Sequence, residues 1–173
     1  GHAIGLGHQG NYNGNATYGT DNTFANDSWQ VSVMSYFSQI ENSTTTASYA
    51  AVTTAMMADI VAAQNLYGAP GASTATAGDT VWGRGSNLGN YLDAYFAGVV
   101  SGSRDPSMDD GGAVTFTIYD RDGTDLLDLG FDDRAARIDL KGESFSDALG
   151  LIGNIAIARG TVLENVTLGN GND

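Results

Sequence analysis

The sequence contains no cysteine. Disulfide bonds are therefore excluded, and stability must come from packing or from bound metal ions. No run approaches the roughly 18 apolar residues that a membrane-spanning helix requires, so we expect a soluble chain without a membrane partner. The sequence also shows no basic amphipathic stretch and no charged leader followed by an apolar run. Binding to a membrane surface and an intact secretion signal are accordingly not expected.

Positive charge is scarce as well. Seven lysines and arginines face 20 aspartates and glutamates, which gives a net charge of -13. A surface of this sign repels phosphate, so we expect no nucleic acid partner. The 173 residues allow one domain of ordinary size or two small ones, and their 24 glycines favour tight turns and extended loops over a helical bundle.

Charge is distributed unevenly along the chain. Residues 1–83 hold five carboxylates and no lysine or arginine, whereas residues 84–173 hold fifteen carboxylates and all seven cations. We interpret this shift as a boundary between two structural units, with the small residues 69–77 as the linker. The predicted units are residues 1–70 and residues 71–173.

The local patterns predict an α+β fold. Residues 53–67 form the predicted helix, which begins with two threonines that can cap it and is ended by Gly68. Strand-like alternation occurs mostly in the second half, which should therefore be mainly β. The predicted strands lie in segments 29–37, 80–83, 113–120, 136–140, 152–158 and 161–168.

Two histidines lie close together at the start of the sequence. His2 and His8 are six residues apart, with Gly5 between them. Residues 1–6 suit the end of a helix that Gly7 closes in the left-handed conformation, and a glycine turn can aim both imidazoles at one metal ion. An incidental pair is the more common explanation for two histidines at such a spacing.

The segment HAIGLGH resembles the second half of the zinc motif H-E-x-x-H-x-x-G-x-x-H, and SVMSYF resembles the Met-turn that follows it. Together with MMADIVAAQNLYGAP, they are similar to the serralysin branch of the metzincins, which are secreted bacterial zinc proteases. The similarity extends through GDTVWG to residue 173. It implies the C-terminal part of a metzincin catalytic domain, with a Met-turn and one long helix, followed by a mostly β, calcium-binding β-roll or β-sandwich domain.

The resemblance implies roles for four residues near the start of the chain. His2 and His8 would be the second and third zinc ligands, and Met34 would form an apolar floor beneath them. Tyr36 would be both the tyrosine that reaches zinc and the catalytic group that stabilises the oxyanion. Gly1 occupies the fourth position of H-E-x-x-H, so the first histidine and the catalytic glutamate are absent from this sequence. We therefore expect the chain by itself to be an inactive fragment.

An acidic segment in the second half predicts calcium binding independently of the resemblance to serralysins. Four aspartates lie within the nine residues of DRDGTDLLD, namely Asp120, Asp122, Asp125 and Asp128. Carboxylates this close repel one another unless a cation is present, and hard oxygen ligands prefer Ca²⁺. The alternative is an ordinary solvated acidic loop.

The resemblance also implies two calcium sites. In the first, the carboxylates of Asp120 and Asp125 would be joined by main-chain oxygens of Thr76, Gly78, Thr80 and Asp122. In the second, the ligands would come from Gly123, Asp125, Val162 and Glu164. Thr76 and Asp122 differ from the residues usual in the family, but each would contribute a carbonyl. Gln9 stands where serralysins usually have proline, which leaves substrate preference open.

The function expected from the resemblance is that of a secreted, extracellular bacterial zinc metalloendopeptidase. Its partners would be protein or peptide substrates and a proteinaceous protease inhibitor, and its cofactors Zn²⁺ and Ca²⁺. The final GNGND resembles the start of a calcium-binding nonapeptide (RTX) repeat. Two other readings stay open: a non-catalytic calcium-binding β-roll module, and a fragment with no role of its own.

Overall fold

Strands from both halves of the sequence build two sheets in the computed structural model, which describes residues 1–109 and 112–173. A single 3₁₀ turn over His2–Ile4 opens the chain. The strands are β1 Ala51–Val52, β2 Val81–Gly83, β3 Val114–Ile118, β4 Leu126–Asp128, β5 Phe145–Ala148, β6 Leu151–Ile157 and β7 Asn165–Thr167. The helices are α1 Met57–Tyr67, α2 Tyr91–Ser101 and α3 Pro106–Asp109.

The two sheets are mainly parallel. The first has the order β1-β3-β6-β5, with β1, β3 and β6 parallel and β5 antiparallel to β6. The second has the order β2-β4-β7, and all of its strands are parallel, with Leu127 paired to both Trp82 and Val166. The mixed sheets and few helices agree with the α+β class expected from the sequence.

The hydrophobic core lies around β3, β6 and α2. All five residues of β3 are buried, because the strand is central and both of its faces are covered. Phe96 of α2 packs edge-to-face on Phe116 of β3, with ring centroids 5.5 Å apart. Neither α1 nor α2, the two longest helices among the described residues, has the length and apolar character needed to cross a membrane.

The sheet also joins the two halves of the chain. β1 belongs to the predicted first unit, yet Ala51 pairs with Val114 of β3. The buried side chain of Gln30 donates a hydrogen bond to the carbonyl of Gly153, 3.1 Å away. The division at residues 70 and 71 stays a prediction, and these contacts cross it.

Several local predictions were wrong. Segment 29–37 forms turns rather than a strand, because the hydroxyls of Ser32 and Ser35 accept hydrogen bonds from main-chain amides two residues later. Segment 136–140 makes only an isolated bridge, between Arg137 and Asp147. The sequence patterns also missed α2, β1, β4 and β5.

The start of α1 and the glycine that ends the first turn also differ from the sequence predictions. α1 begins at Met57, because the Thr54 hydroxyl accepts from the amide of Thr117 in β3 instead of capping the helix. The left-handed residue after the first turn is Gly5, with φ of 85°, rather than Gly7. The predicted end of α1 at Gly68 is confirmed.

Asp59 links the start of α1 to the turns before it. Its carboxylate accepts from the amides of Met56 and Val33, both at 2.8 Å, and from the hydroxyl of Ser32 at 2.7 Å. The bond to Met56 satisfies an amide at the helix start that has no partner within the helix. A buried carboxylate thus fixes the position of the segment around Met34 against α1.

We predict that Asp59→Ala lowers the free energy of unfolding by about 2–3 kcal/mol, since it leaves buried donors unsatisfied. Asn65→Ala, on the exposed side of the same helix, is the control and should change it by less than about 0.5 kcal/mol. Urea denaturation followed by circular dichroism measures both. Equal midpoints for the two variants would contradict the assignment.

Candidate functional site

The structure brings the two histidines together. The 3₁₀ turn and Gly5 reverse the chain between them, and the His2 and His8 ring centroids lie 4.7 Å apart in an edge-to-face arrangement. A residue with a side chain would be strained at the φ of Gly5, so glycine suits this turn. The predicted glycine turn between the imidazoles is therefore present, with its left-handed residue at Gly5, two residues earlier than expected.

Main-chain carbonyls place a hydrogen on the same nitrogen of both rings. The Nδ1 of His2 lies 3.0 Å from the carbonyl oxygen of Leu6, and the Nδ1 of His8 lies 2.8 Å from that of Met34. A carbonyl can only accept, so each Nδ1 carries the hydrogen. The Nε2 lone pair of each neutral ring then remains available for a metal ion, which is the usual arrangement of metal-binding histidines.

Met34 and Tyr36 complete the group. Met34 is buried, and a β-carbon on Gly1 would fall 2.0 Å from its sulfur, so Met34 lies directly against the start of the histidine turn. The Tyr36 ring centroid is 4.5 Å from that of His8, and its hydroxyl accepts from the amide of Gly14 at 3.3 Å. All the predicted zinc-site residues are thus neighbours.

These donors fit zinc in type but not in number. Imidazole nitrogen and phenol oxygen are suitable zinc ligands, and the free Nε2 atoms suit the role. A catalytic zinc, however, needs three protein ligands and a water. Within residues 1–109 and 112–173, no group of three His, Cys, Asp or Glu side chains is placed to hold a metal ion.

Sequence reasoning missed Tyr12 and Asp27. Tyr12 is buried, and its ring lies 5.3 Å from that of His8 and 4.7 Å from that of Tyr36. Its hydroxyl donates to the fully buried Asp27, and burial, followed by this carboxylate, raises the pKa of Tyr12. The available signal was an aromatic residue only four positions after His8 in a loop of small polar residues.

A second group is built around two buried aspartates. Thr80 donates from its hydroxyl to Asp120 at 2.5 Å and from its amide to Asp125 at 2.7 Å. Each aspartate is 1 % exposed, and Oδ1 of Asp120 has no hydrogen-bond partner among the described residues. Burial and the nearby charge of Asp125 raise the pKa of Asp120 to about 6, although the Thr80 hydroxyl acts in the opposite direction.

This arrangement fits a cation. Two carboxylates removed from water repel one another, and the unpartnered oxygen of Asp120 is a ready ligand. The backbone also converges here: Gly123 has φ of 125°, and a β-carbon on it would lie 2.6 Å from the carbonyl of Gly78. Another predicted carbonyl, that of Thr76, accepts from the amides of Arg121 and Asp122 at 2.7 and 3.3 Å.

The residues predicted for the second calcium site also meet. Gly123, Asp125, Val162 and Glu164 all line one small cavity of about 220 Å³. The amide of Asp125 donates to the Glu164 carboxylate at 2.7 Å, which brings the two segments together. The Asp122 side chain points to solvent and pairs with Arg121 at 3.5 Å, in keeping with a residue that would contribute only its carbonyl.

The chain is similar in sequence to known serralysins. Residues 72–173 match the family model described as Peptidase M10 serralysin C terminal. The whole chain is 39% identical to Serralysin C of Dickeya chrysanthemi over 177 residues and 38% identical to Metalloprotease AprA of Pseudomonas entomophila over 179 residues. It is 37% identical to Serralysin of Photorhabdus luminescens. The chain covers 33%, 34% and 33% of these relatives, about a third of their length.

We predict that the chelated, calcium-free chain loses stability as the pH rises from 4 to 7. The folded Asp120 has a pKa of about 6, whereas its ordinary pKa is 3.8, so protonation stabilises the fold fully below pH 3.8 and this contribution is lost as the pH rises through about 6. The loss should be on the order of 2 kcal/mol. Urea denaturation in EGTA measures it.

Asp120→Asn should remove most of this pH dependence, and the exposed Asp122→Asn, two residues away, should retain it. Equal pH dependence in both variants would show that Asp120 is not the responsible group.

Proposed function

Because the chain belongs to the serralysin family of M10 peptidases, we propose that it forms part of a secreted, extracellular bacterial zinc metalloendopeptidase that cleaves proteins or peptides. The observation that carries the proposal is the histidine pair, whose rings are adjacent and whose Nε2 atoms are left free by carbonyl bonds at Nδ1. The relatives, a serralysin and a metalloprotease, support the same function.

The residues of this chain would contribute binding and orientation. His2 and His8 would hold the zinc through Nε2, and the carbonyl of Met34 would keep the His8 ring in the required tautomer. Zinc held there would supply the Lewis acidity by which a water can attack a peptide carbonyl. Tyr36, beside His8, would donate its hydroxyl to the oxygen that becomes negative during attack.

A third zinc ligand and a carboxylate base are also needed for hydrolysis. They would come from the first three residues, H-E-x, of the family motif H-E-x-x-H, in which Gly1 would be the fourth. This chain alone should therefore bind zinc weakly through two imidazoles and should not hydrolyse peptides.

Calcium binding forms the second part of the proposal. One ion would be held by the Asp120 and Asp125 carboxylates with main-chain oxygens of Thr76, Gly78, Thr80 and Asp122. The other would be held by Gly123, Asp125, Val162 and Glu164. The orphaned Oδ1 of Asp120 and the cavity beside Glu164 support these assignments. An acidic chain without cysteine that relies on calcium suits an extracellular setting, and a proteinaceous protease inhibitor stays a predicted partner.

A non-catalytic calcium-binding module is the second candidate function. It is favoured by the contrast between the two sites: the residues predicted for the second calcium site line one cavity, whereas the zinc site has two histidines from this chain and needs a third ligand. In that case the histidines would have no catalytic role. Zinc binding and proteolysis separate the two candidates.

The test of the peptidase is hydrolysis of casein by the full-length protein that carries this chain. His8→Ala should lower kcat/KM by at least about a hundredfold, because a ligand of the metal is lost. The neighbouring Gln9→Ala should change it by less than about threefold. A full-length protein that binds calcium but neither binds zinc nor cleaves casein would favour the module instead.

Calcium affinity is the test of the second part. Asp120→Asn should weaken it by roughly tenfold or more, since a charged ligand becomes neutral, while Asp122→Asn preserves its carbonyl and should have little effect. Trp82 offers the signal, because its indole N–H lies 3.4 Å from the Asp120 carboxylate and its fluorescence should change on calcium addition. Equal affinities for the two variants would count against Asp120 as a ligand.

A further inference from the structure

Tyr12 is an aromatic side chain buried in a loop that is otherwise mostly exposed or half-buried. Only 6 % of its surface is exposed. Its ring centroid lies 4.7 Å from that of Tyr36, 5.3 Å from that of His8 and 5.4 Å from that of Phe37. The ring therefore packs between the hydrophobic interior and two of the residues proposed to face zinc.

The hydroxyl of Tyr12 points the other way, to a buried acid. It lies 3.0 and 3.2 Å from the two carboxylate oxygens of Asp27, which is fully buried. The carbonyl of Asp27 is in turn held by the side-chain amide of Asn42 at 3.0 Å. No lysine or arginine precedes Arg84 in the sequence, so the local chain offers this acid hydrogen bonds rather than a cation.

We propose that Tyr12, anchored by Asp27, is a positioning residue for the metal site, and that it fixes the ring orientations of His8 and Tyr36. This inference rests on the proposed zinc-binding function. The carbonyl of Met34 restrains one atom of His8 and selects its tautomer, whereas packing against a neighbouring ring restrains the plane of the imidazole. The two contacts together determine where the Nε2 lone pair of His8 points.

Tyr12 is not itself placed to act on substrate. Its hydroxyl is committed to a buried carboxylate, and its contacts with His8 and Tyr36 are made by the ring. Its role is therefore to restrain the two neighbouring rings by packing, and the hydrogen bond to Asp27 fixes the position of Tyr12. Removing a group that supports a metal-binding histidine in this way typically lowers metal affinity about 10–100-fold.

The experiment compares Tyr12→Phe, which keeps the ring, with Tyr12→Leu, which removes it, in the full-length protein that carries this chain. Tyr18→Phe is the matched control: it lies in the same loop, its hydroxyl donates to Ala25 at 2.6 Å, and its ring contacts Phe37 at 5.5 Å. Zinc affinity is measured by competition with a chelating dye. The ring nitrogens of the two histidines are followed by ¹⁵N NMR without metal.

We expect zinc affinity to fall about tenfold in Tyr12→Phe and closer to a hundredfold in Tyr12→Leu. Asp27→Asn, which keeps an acceptor for the Tyr12 hydroxyl, should lie between the wild type and Tyr12→Phe. The His8 signals should shift in both Tyr12 variants before any zinc is added. Tyr18→Phe should stay within about threefold of the wild type.

Wild-type affinity and unshifted His8 signals in Tyr12→Leu would overturn the proposal. If that variant does not fold, the wild type decides: nuclear Overhauser contacts between the Tyr12 and His8 rings must persist when zinc is added, and their loss would overturn it equally. If zinc leaves the signals of both histidines in the wild type unchanged, the proposed function fails. The metal-free His8 signal would still show whether Tyr12 orients the ring.

Discussion

The fold depends on the burial of two aspartates where its strands come together. Thr80 immediately precedes β2, Asp125 precedes β4 and Glu164 precedes β7, so each strand of the second sheet begins at this acidic cluster. Asp120 follows β3 of the first sheet, and its amide donates to the Thr161 hydroxyl after β6. The cluster therefore joins the ends of one sheet to the beginnings of the other, and its mutual repulsion must be balanced for both to form.

The first half of the chain also buries aspartates, and their charge is stabilised by hydrogen bonds. It has no lysine or arginine, so its buried acids are satisfied by hydrogen bonds. Asp59 holds the segment before Met34 against α1, and Asp27 holds Tyr12 against the His8 ring. Two buried carboxylates thus support the same site from two sides. A polar network of this kind specifies one arrangement, because every member is costly to leave unpaired.

Sequence patterns recovered the elements whose signal is local. Alternating β-branched residues predicted strands that include β2, β3, β6 and β7, and helical spacing ended by Gly68 predicted α1. α2 was missed because Tyr91–Ser101 mixes aromatic, β-branched and glycine residues, and Asn90 and Gly102 were not recognised as its caps. The apolar run at 29–37 reads as a strand, yet its serine hydroxyls bond the backbone and form turns.

By itself the sequence determined the chemistry available: two histidines at a glycine turn, a methionine and a tyrosine 26 and 28 residues after the second histidine, and aspartates crowded after a strand. It also fixed the absence of disulfides and the acidic charge. Only the tertiary structure decided that Met34 supplies the carbonyl for His8, that Asp120 keeps an unpartnered oxygen, and that Tyr12 rests on Asp27. The two contacts join residues 15 and 26 positions apart, and the unpartnered oxygen depends on complete burial, which residue patterns in a local window do not encode.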